Sequence, residues 1–299
     1  MGIKRHEGNP ILKKEDVPFK VNSIFNPGAV KIDGKYILLC RVEMPVGRSS
    51  FVLASSDDGI SFKVGDKPCL TPGDHNDYHK YVEWGIEDAR VVKIGDKFYM
   101  TYTGYSRYMP LVMIAETEDF KTYKMLRPIS EPSNKDCTLF PEKINNLFWK
   151  IDRPSAESRR DIWISRSPDL IHWGEPEILS EPSAGTWEND KIGISTPPVK
   201  TKEGWMVLYH GVRGFGISSM YKIGVMLLDL EKPWIVKGKS SEPIIIPELD
   251  YERTGDVGNV VFSNGWIVEN NDVKIYYSGA DTNICLATTT VDYLLSLCK

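Results

Sequence analysis

Cysteine is scarce in this chain of 299 residues and badly placed for either of its structural uses. Cys40, Cys69, Cys137, Cys285 and Cys298 are odd in number and far apart, without a CxxC pair or a metal-ligand spacing. They read as free thiols, and a reducing, cytoplasmic setting is expected. A basic surplus is missing as well: 37 lysines and arginines stand against 41 aspartates and glutamates, for a formal charge of -4. That balance provides no surface able to displace counterions from a nucleic-acid backbone, so no nucleic-acid partner is expected. No apolar run reaches membrane-spanning length, and "MGIKRHEGNPILKK" has no apolar stretch behind its basic residues, so neither a membrane span nor a secretory signal is expected. Glycine-rich nucleotide loops are absent too. "GVRGFG" (211–216) lacks the helix that would present its amides to a phosphate, and is expected as a mobile loop at the mouth of a site. Helical periodicity is confined to the C-terminal "VDYLLSLCK".

What is present is a repeat. "DGKYILLCRVE", "GDKFYMTYTGY", "INNLFWKIDRP", "KEGWMVLYHGV" and "NDVKIYYSGAD" each set a turn before a short apolar and aromatic strand that runs into a polar end. Each is followed by a second element, such as "LVMIAETEDFKTY" or "DIWISRSPDLIHW", and the first two are preceded by "NPGAVKI" and "EDARVVKI". Small sheets that recur in this way bury their faces only against their neighbours. The expectation is an all-β fold, a five-bladed β-propeller formed by residues 1–299 as a single domain, with a central funnel where loops from every blade meet.

Polar groups at equivalent places in the repeat are the candidate site: Asn26, Arg41, Glu87, Asp88, Arg90, Lys135, Asp136, Arg153, Lys191, His210 and Asp256. Each has a plainer reading alone. Arg41 and Arg153 have Glu43 and Asp152 nearby as partners, the lysines are ordinary solvated loop residues, His210 follows an apolar run, and Asp256 sits between turn glycines. Taken together they make a funnel with several cations and few acids, whose ligand carries negative charge. Tyr81, Trp84, Tyr105 and Tyr108 are rim aromatics suited to sugar faces or to packing between blades. His75 and His79 have i,i+4 spacing, but "DHNDYHK" has loop composition; both are expected at the surface, and no metal is expected.

"FNPGAV", "GIEDAR", "LFPEK", "DRPS", "SPDLIHW", "GWMVLYHGV" and "DVGN", in that order over essentially the whole chain, resemble the β-mannoside phosphorylases of glycoside hydrolase family 130. That resemblance implies a five-bladed propeller and reversible, inverting cleavage of β-mannosides by inorganic phosphate to α-mannose 1-phosphate. It implies that Asp88 is the catalytic acid, its proton passing to the leaving oxygen through a mannose hydroxyl. Arg153, Lys191 and His210 match phosphate-binding positions. Lys135 stands where the family often has arginine. Asn26, Arg41 and Asp256 match positions that hold the mannosyl unit, with Glu87 and Arg90 beside them. No cofactor is implied, since phosphate is a co-substrate, and edge-to-edge homo-oligomers are compatible with the architecture.

Physical chemistry agrees with one acid among many cations. An inverting hydrolase needs a second carboxylate, about 6.5–9.5 Å from the acid, to deprotonate water. Phosphate arrives already anionic, and guanidinium and ammonium groups hold and aim it. The alternatives are a hydrolase, with Glu87 or another acid as base, and a propeller that binds sugar without turning it over.

Overall fold

The computed structural model describes residues 2–155, 160–214 and 219–299. It is all-β, with 21 strands and two short α-helices, α1 (Asp250–Arg253) and α2 (Val291–Ser296), among those residues. After β1 (Lys4–Arg5) the strands form five successive antiparallel units. The first is β2 (Ser23–Ile32), β3 (Lys35–Glu43), β4 (Ser49–Ser56) and β5 (Lys63–Val64); the second is β6 (Gly85–Ile94), β7 (Lys97–Tyr105), β8 (Leu111–Thr117) and β9 (Lys124–Pro128). The third is β10 (Asn134–Leu139), β11 (Phe148–Pro154), β12 (Ile162–Ser167) and β13 (Gly174–Ser180). In the fourth, β14 (Lys191–Ile194) and β15 (Val199–Lys200) both pair with β16 (Trp205–Arg213), followed by β17 (Met220–Leu228) and β18 (Val236–Lys239). The fifth is β19 (Val261–Glu269), β20 (Asp272–Gly279) and β21 (Asn283–Thr290), and its fourth strand is β1, from the other end of the chain.

Local chemistry explains the recurrence. Asp33 and Gly34, both at positive φ (48° and 83°), make the tight turn that the right-handed twist of a hairpin favours. After the third strand of four units an aspartate accepts two backbone N–H groups: Asp58 from Ile60 and Ser61, Asp119 from Lys121 and Thr122, Asp169 from Ile171 and His172, Asp229 from Glu231 and Lys232. These are side-chain-built turns. In the fifth unit Thr290 takes that place and caps α2.

The core is divided in the same way. One apolar cluster joins units one and two (Leu39, Phe51, Ile86, Met100), another two and three (Val92, Ile114, Leu139, Leu170), a third three and four (Ile151, Ile164, Trp205, Val207), and a fourth four and five (Leu208, Val225, Val261, Ile275). The remaining cluster joins five to one through Ile24, Leu38, Val52, Tyr276 and Ile284, so the series closes on itself. Burial of each such side chain is worth roughly 1.5–3 kcal/mol. The closure is fastened by Arg5, whose Nε lies 2.8 Å from Oε1 of the fully buried Glu252. No helix among the described residues is long and apolar enough to cross a membrane.

Candidate active site

The first strand of a unit should alternate its side chains between the two faces of its sheet. In four units it is instead interrupted at one place, between Phe25 and Gly28, Glu87 and Arg90, Lys135 and Thr138, and Phe262 and Gly265. In the fourth unit the strand breaks outright between β14 and β15. A β-bulge re-aims side chains, and in the first three units the first extra residue is Asn26, Asp88 and Asp136, at φ 46°, 57° and 51°. Asn and Asp tolerate this left-handed backbone best among residues with a Cβ. The bulges bring residues from all five units around one cavity of about 470 Å³, lined by Asn26, Arg41, Glu87, Asp88, Lys135, Asp136, Arg153, Lys191, His210 and Asp281, with Ser155, Arg160, Tyr221 and Phe262.

The charges separate into two halves. In the first, Asp88 Oδ1 accepts from Asn26 Nδ2 (2.9 Å) and Arg41 Nη1 (3.0 Å), while Glu87 accepts from Arg41 Nη2 (3.0 Å) and Lys135 Nζ (3.2 Å). Asp281 belongs to this half. Burial first, then the charges of Asp88, Glu87 and Asp256 against the opposing Arg41, push its carboxyl up to about 7. Burial works against the Lys135 ammonium, but Glu87, Asp88 and Asp136 outweigh it and raise its pKa.

The second half surrounds Asp136, which is 4% exposed. Its Oδ2 accepts from Arg153 Nε at 2.6 Å and lies 3.5 Å from His210 Nε2, and its Oδ1 lies 3.5 Å from Arg90 Nη2. Burial would raise this carboxyl, yet Arg153, His210 and Arg90 hold it well below the usual carboxylate range. Lys191 hydrogen-bonds the Tyr221 hydroxyl, and its Nζ sits 4.3 Å from the centre of that ring. Burial, Arg153, Arg160 and Lys135 lower it to about 7 despite Asp136. His210, packed against Tyr221 and Phe262, is lowered well below 6.5, by burial first and then by Lys191 and Arg153 against Asp136. It is a neutral imidazole at pH 7. Several cations converging where a single buried carboxylate anchors them make an anion site. The first half, with amide, guanidinium and carboxylates in hydrogen-bond reach, suits a polyhydroxylated ring.

Residues 3–299 match the family described as beta-1,4-mannooligosaccharide phosphorylase. The chain belongs to glycoside hydrolase family 130. It is similar to the β-1,2-mannobiose phosphorylase of Listeria innocua, 32% identical with 95% of each chain covered. The solved structure of that enzyme's complex with β-1,2-mannobiose superposes with a TM-score of 0.92 at 31% identity, covering 100% of this chain and 99% of the other. The β-1,4-mannooligosaccharide phosphorylase of Ruminococcus albus is 33% identical over 99% of this chain and 91% of its own, and a β-1,2-mannobiose phosphorylase of a Thermoanaerobacter species is 36% identical over 95% and 96%.

Nine of the eleven expected site residues in this family member line the cavity: Asn26, Arg41, Glu87, Asp88, Lys135, Asp136, Arg153, Lys191 and His210. Arg90 does not. The bulge turns it beneath the floor, 1% exposed, where it donates to the carbonyls of Asp88, Ile194 and Ser195. Asp256 is exposed in the loop after α1, and its neighbour Val257 reaches the cavity in its place. Arg41 pairs across units with Glu87 and Asp88 and not with Glu43, and Arg153 pairs with Asp136 of its own unit and not with Asp152, which is taken by Lys150. The expectation of few acids fails, since Glu87, Asp88, Asp136 and Asp281 all line the cavity. Asp281 was missed, although it ends its repeat copy much as Arg41 and Arg153 end theirs.

The expected surface position of His75 is also corrected. It is buried in a 3-10 segment (Pro72–Tyr81), its Nδ1 donating to Thr71 O (3.0 Å) while Nε2 accepts from the Tyr102 hydroxyl (2.8 Å). His79 is exposed. The rim aromatics pair edge-to-face, Tyr81 with Tyr108 and Trp84 with Tyr105. Of "GVRGFG", Gly211–Arg213 belong to β16, whereas Phe215 and Gly216 lie outside the described residues.

Proposed function

We propose that this chain is a β-mannoside phosphorylase acting on β-1,2- or β-1,4-linked manno-oligosaccharides. Phosphate occupies the half of the cavity formed by Arg153, Lys191 and His210, reached also by Lys135, which stands at the border of the two halves on Glu87, and the terminal mannosyl unit lies between Asn26, Arg41, Glu87 and Asp88. Asp88 supplies the proton to the leaving oxygen. A phosphate oxygen bonds to the anomeric carbon as the glycosidic C–O bond breaks on the opposite face, which yields α-mannose 1-phosphate and the shortened sugar, and the reaction is reversible. No cofactor takes part.

The observation that carries this reading is the cluster of cations from separate units on Asp136, beside a half that holds a proton near neutrality. The relatives, all named as phosphorylases, support it. We further read the five closed units as the blades of a five-bladed β-propeller, one catalytic domain over residues 1–299 with the cavity as its funnel. A cytosolic setting is part of the proposal, supported by five free cysteines.

The test is release of mannose 1-phosphate from β-1,2- and β-1,4-mannobiose with and without phosphate. Turnover should require phosphate, and Asp88→Asn should lower kcat by about 10²–10⁴, the span of general acid catalysis. Mannose release that ignores phosphate would overturn the assignment.

A further inference from the structure

The apolar cluster between units two and three leaves part of that interface open as a second cavity, of about 610 Å³, within the roughly 300–1,000 Å³ of small-molecule sites. One wall is the β9-to-β10 connection, Pro128 to Glu131, and the other is a face of the third sheet. Register sets the composition of that face. Asn134 lies opposite Pro154, Asp152 opposite Trp163, and Lys150 opposite Ser165, so alternation puts all of them on one side.

This interface carries a buried ion pair, Lys150 with Asp152, joined by Asn134 Nδ2 at 3.1 Å from Asp152 Oδ2. Trp173, its Nε1 tied to Leu170 O at 3.1 Å, presents its ring 5.5 Å from Lys150 Nζ. Two lining residues, 6% and 5% exposed, each carry a side-chain oxygen that is itself buried and has no hydrogen-bond partner among the described residues: Asn134 Oδ1 and Ser165 Oγ. Each unmade bond of this kind costs about 1–3 kcal/mol. A valine or leucine at either position would avoid it.

We propose that this cleft is a second, non-catalytic binding site for a neutral pyranose. Lys150 and Asp152 cancel, and the lining's other carboxylate, Glu131, leaves no surplus of lysine or arginine charge to draw an anion. Its fixed donors and acceptors suit ring hydroxyls, and the two indoles suit the C–H face of a sugar. That the sugar is a further mannosyl unit of the substrate chain rests on the phosphorolytic reading; that it is a pyranose does not. A glycan held here and at the cavity at once gains affinity through effective concentration, provided that it is long enough to span both.

The experiment titrates β-1,2- and β-1,4-mannotriose, without phosphate, into the full chain labelled with 5-fluorotryptophan. The resonances of Trp163 and Trp173 are assigned through Trp163→Phe and Trp173→Phe. Both should shift with saturation. No shift up to about 20 mM sugar, well above the millimolar Kd of a weak subsite, overturns the proposal.

Kinetically, Trp173→Ala should raise KM for a long manno-oligosaccharide about 3- to 10-fold while KM and kcat for mannobiose stay within about twofold. Equal effects on both substrates also overturn it. Shifted resonances without any phosphorolysis would leave the cleft standing and sink the catalytic reading. Phosphorolysis with unmoved resonances would do the reverse.

Discussion

Asp136→Asn should weaken the fold and strengthen the anion site at the same time. The substitution keeps the side chain's shape and removes the charge on which Arg153, His210 and Arg90 converge at 2.6, 3.5 and 3.5 Å. Two buried guanidinium groups and Lys191 then face each other uncompensated. Removing one partner of a buried pair costs about 3–5 kcal/mol. At about 2.1 cal/mol/K per residue, 299 residues unfold with an entropy of about 0.63 kcal/mol/K, so the expected fall in Tm is roughly 5–8 °C.

The pH dependence has a definite sign. The Asp136 carboxyl is depressed in the folded chain, so its stabilisation is complete above the unfolded value of about 3.9 and is lost only as pH falls below it. The gap between wild type and variant should therefore narrow below about pH 4, and narrow also as pH rises through about 7, where Lys191 loses the charge that Asp136 balances.

Phosphate should act oppositely, because the variant's anion site has lost a negative charge. Two unit charges about 6 Å apart at an effective dielectric of about 20 interact by roughly 3 kcal/mol. Scanning calorimetry at pH 7 with and without saturating phosphate reads both effects. A phosphate-free Tm within about 2 °C of wild type, or a smaller phosphate-induced rise than wild type, refutes the reasoning.

Three further outcomes follow from the same geometry. Lys191, with its pKa lowered to about 7, is charged below that pH and neutral above it, so KM for phosphate should rise about tenfold between pH 6 and 8, the worth of one charge-assisted bond; Lys191→Arg, charged throughout, should flatten the profile in initial-rate assays. A Cβ on Gly193 would meet His210 Cε1 at 2.5 Å and Asp136 Oδ2 at 2.7 Å, so Gly193→Ala should raise KM for phosphate at least about tenfold, with a much smaller change in KM for the mannoside. Arg5→Ala strips the cationic partner from Glu252, which is 0% exposed, and should cost about 3 kcal/mol by denaturant titration; Glu248→Ala, which removes the exposed partner of the same arginine, should cost under about 1 kcal/mol.

The fold was legible because its information is local. Each hairpin and each aspartate turn is written in a dozen consecutive residues, and five copies of that text suffice to show five units. The site was legible where a polar residue stands at the same place in successive copies, as with Arg41, Arg153 and His210. It failed where the strand changes phase. Plain alternation puts Asp88 and Arg90 on one face, but the bulge between Glu87 and Arg90 brings Glu87 and Asp88 together to the cavity and sends Arg90 beneath it. Nothing in "GIEDAR" taken alone specifies that slip, although a left-handed Asp or Asn before a small residue recurs in "FNPG", "EDAR" and "KDCT". Asp281 and Asp256 exchange places for a related reason: both end in turns, and turn geometry decides which carboxyl faces inward.

Four carboxylates in the cavity raise the hydrolytic reading again, since an inverting hydrolase needs one of them free to take a proton from water. With Asp88 as the acid of either reading, the geometry argues against the other three. Glu87 has one oxygen on Arg41 at 3.0 Å and the other on Lys135 at 3.2 Å, and a carboxylate paired on both oxygens is a poor proton acceptor. Asp136 is clamped by Arg153 and held far below the range in which it takes up a proton. Asp281, pushed up to about 7, has the basicity, but it shares the half of Asp88, and with Asp88 proposed as the acid inversion would require the base on the opposite face. In the other half stand Arg153 and Lys191, whose charge attracts an anion, with the neutral His210 beside them to hydrogen-bond it. The acids that appear in excess are thus the counter-charges that let so many cations coexist in one cavity.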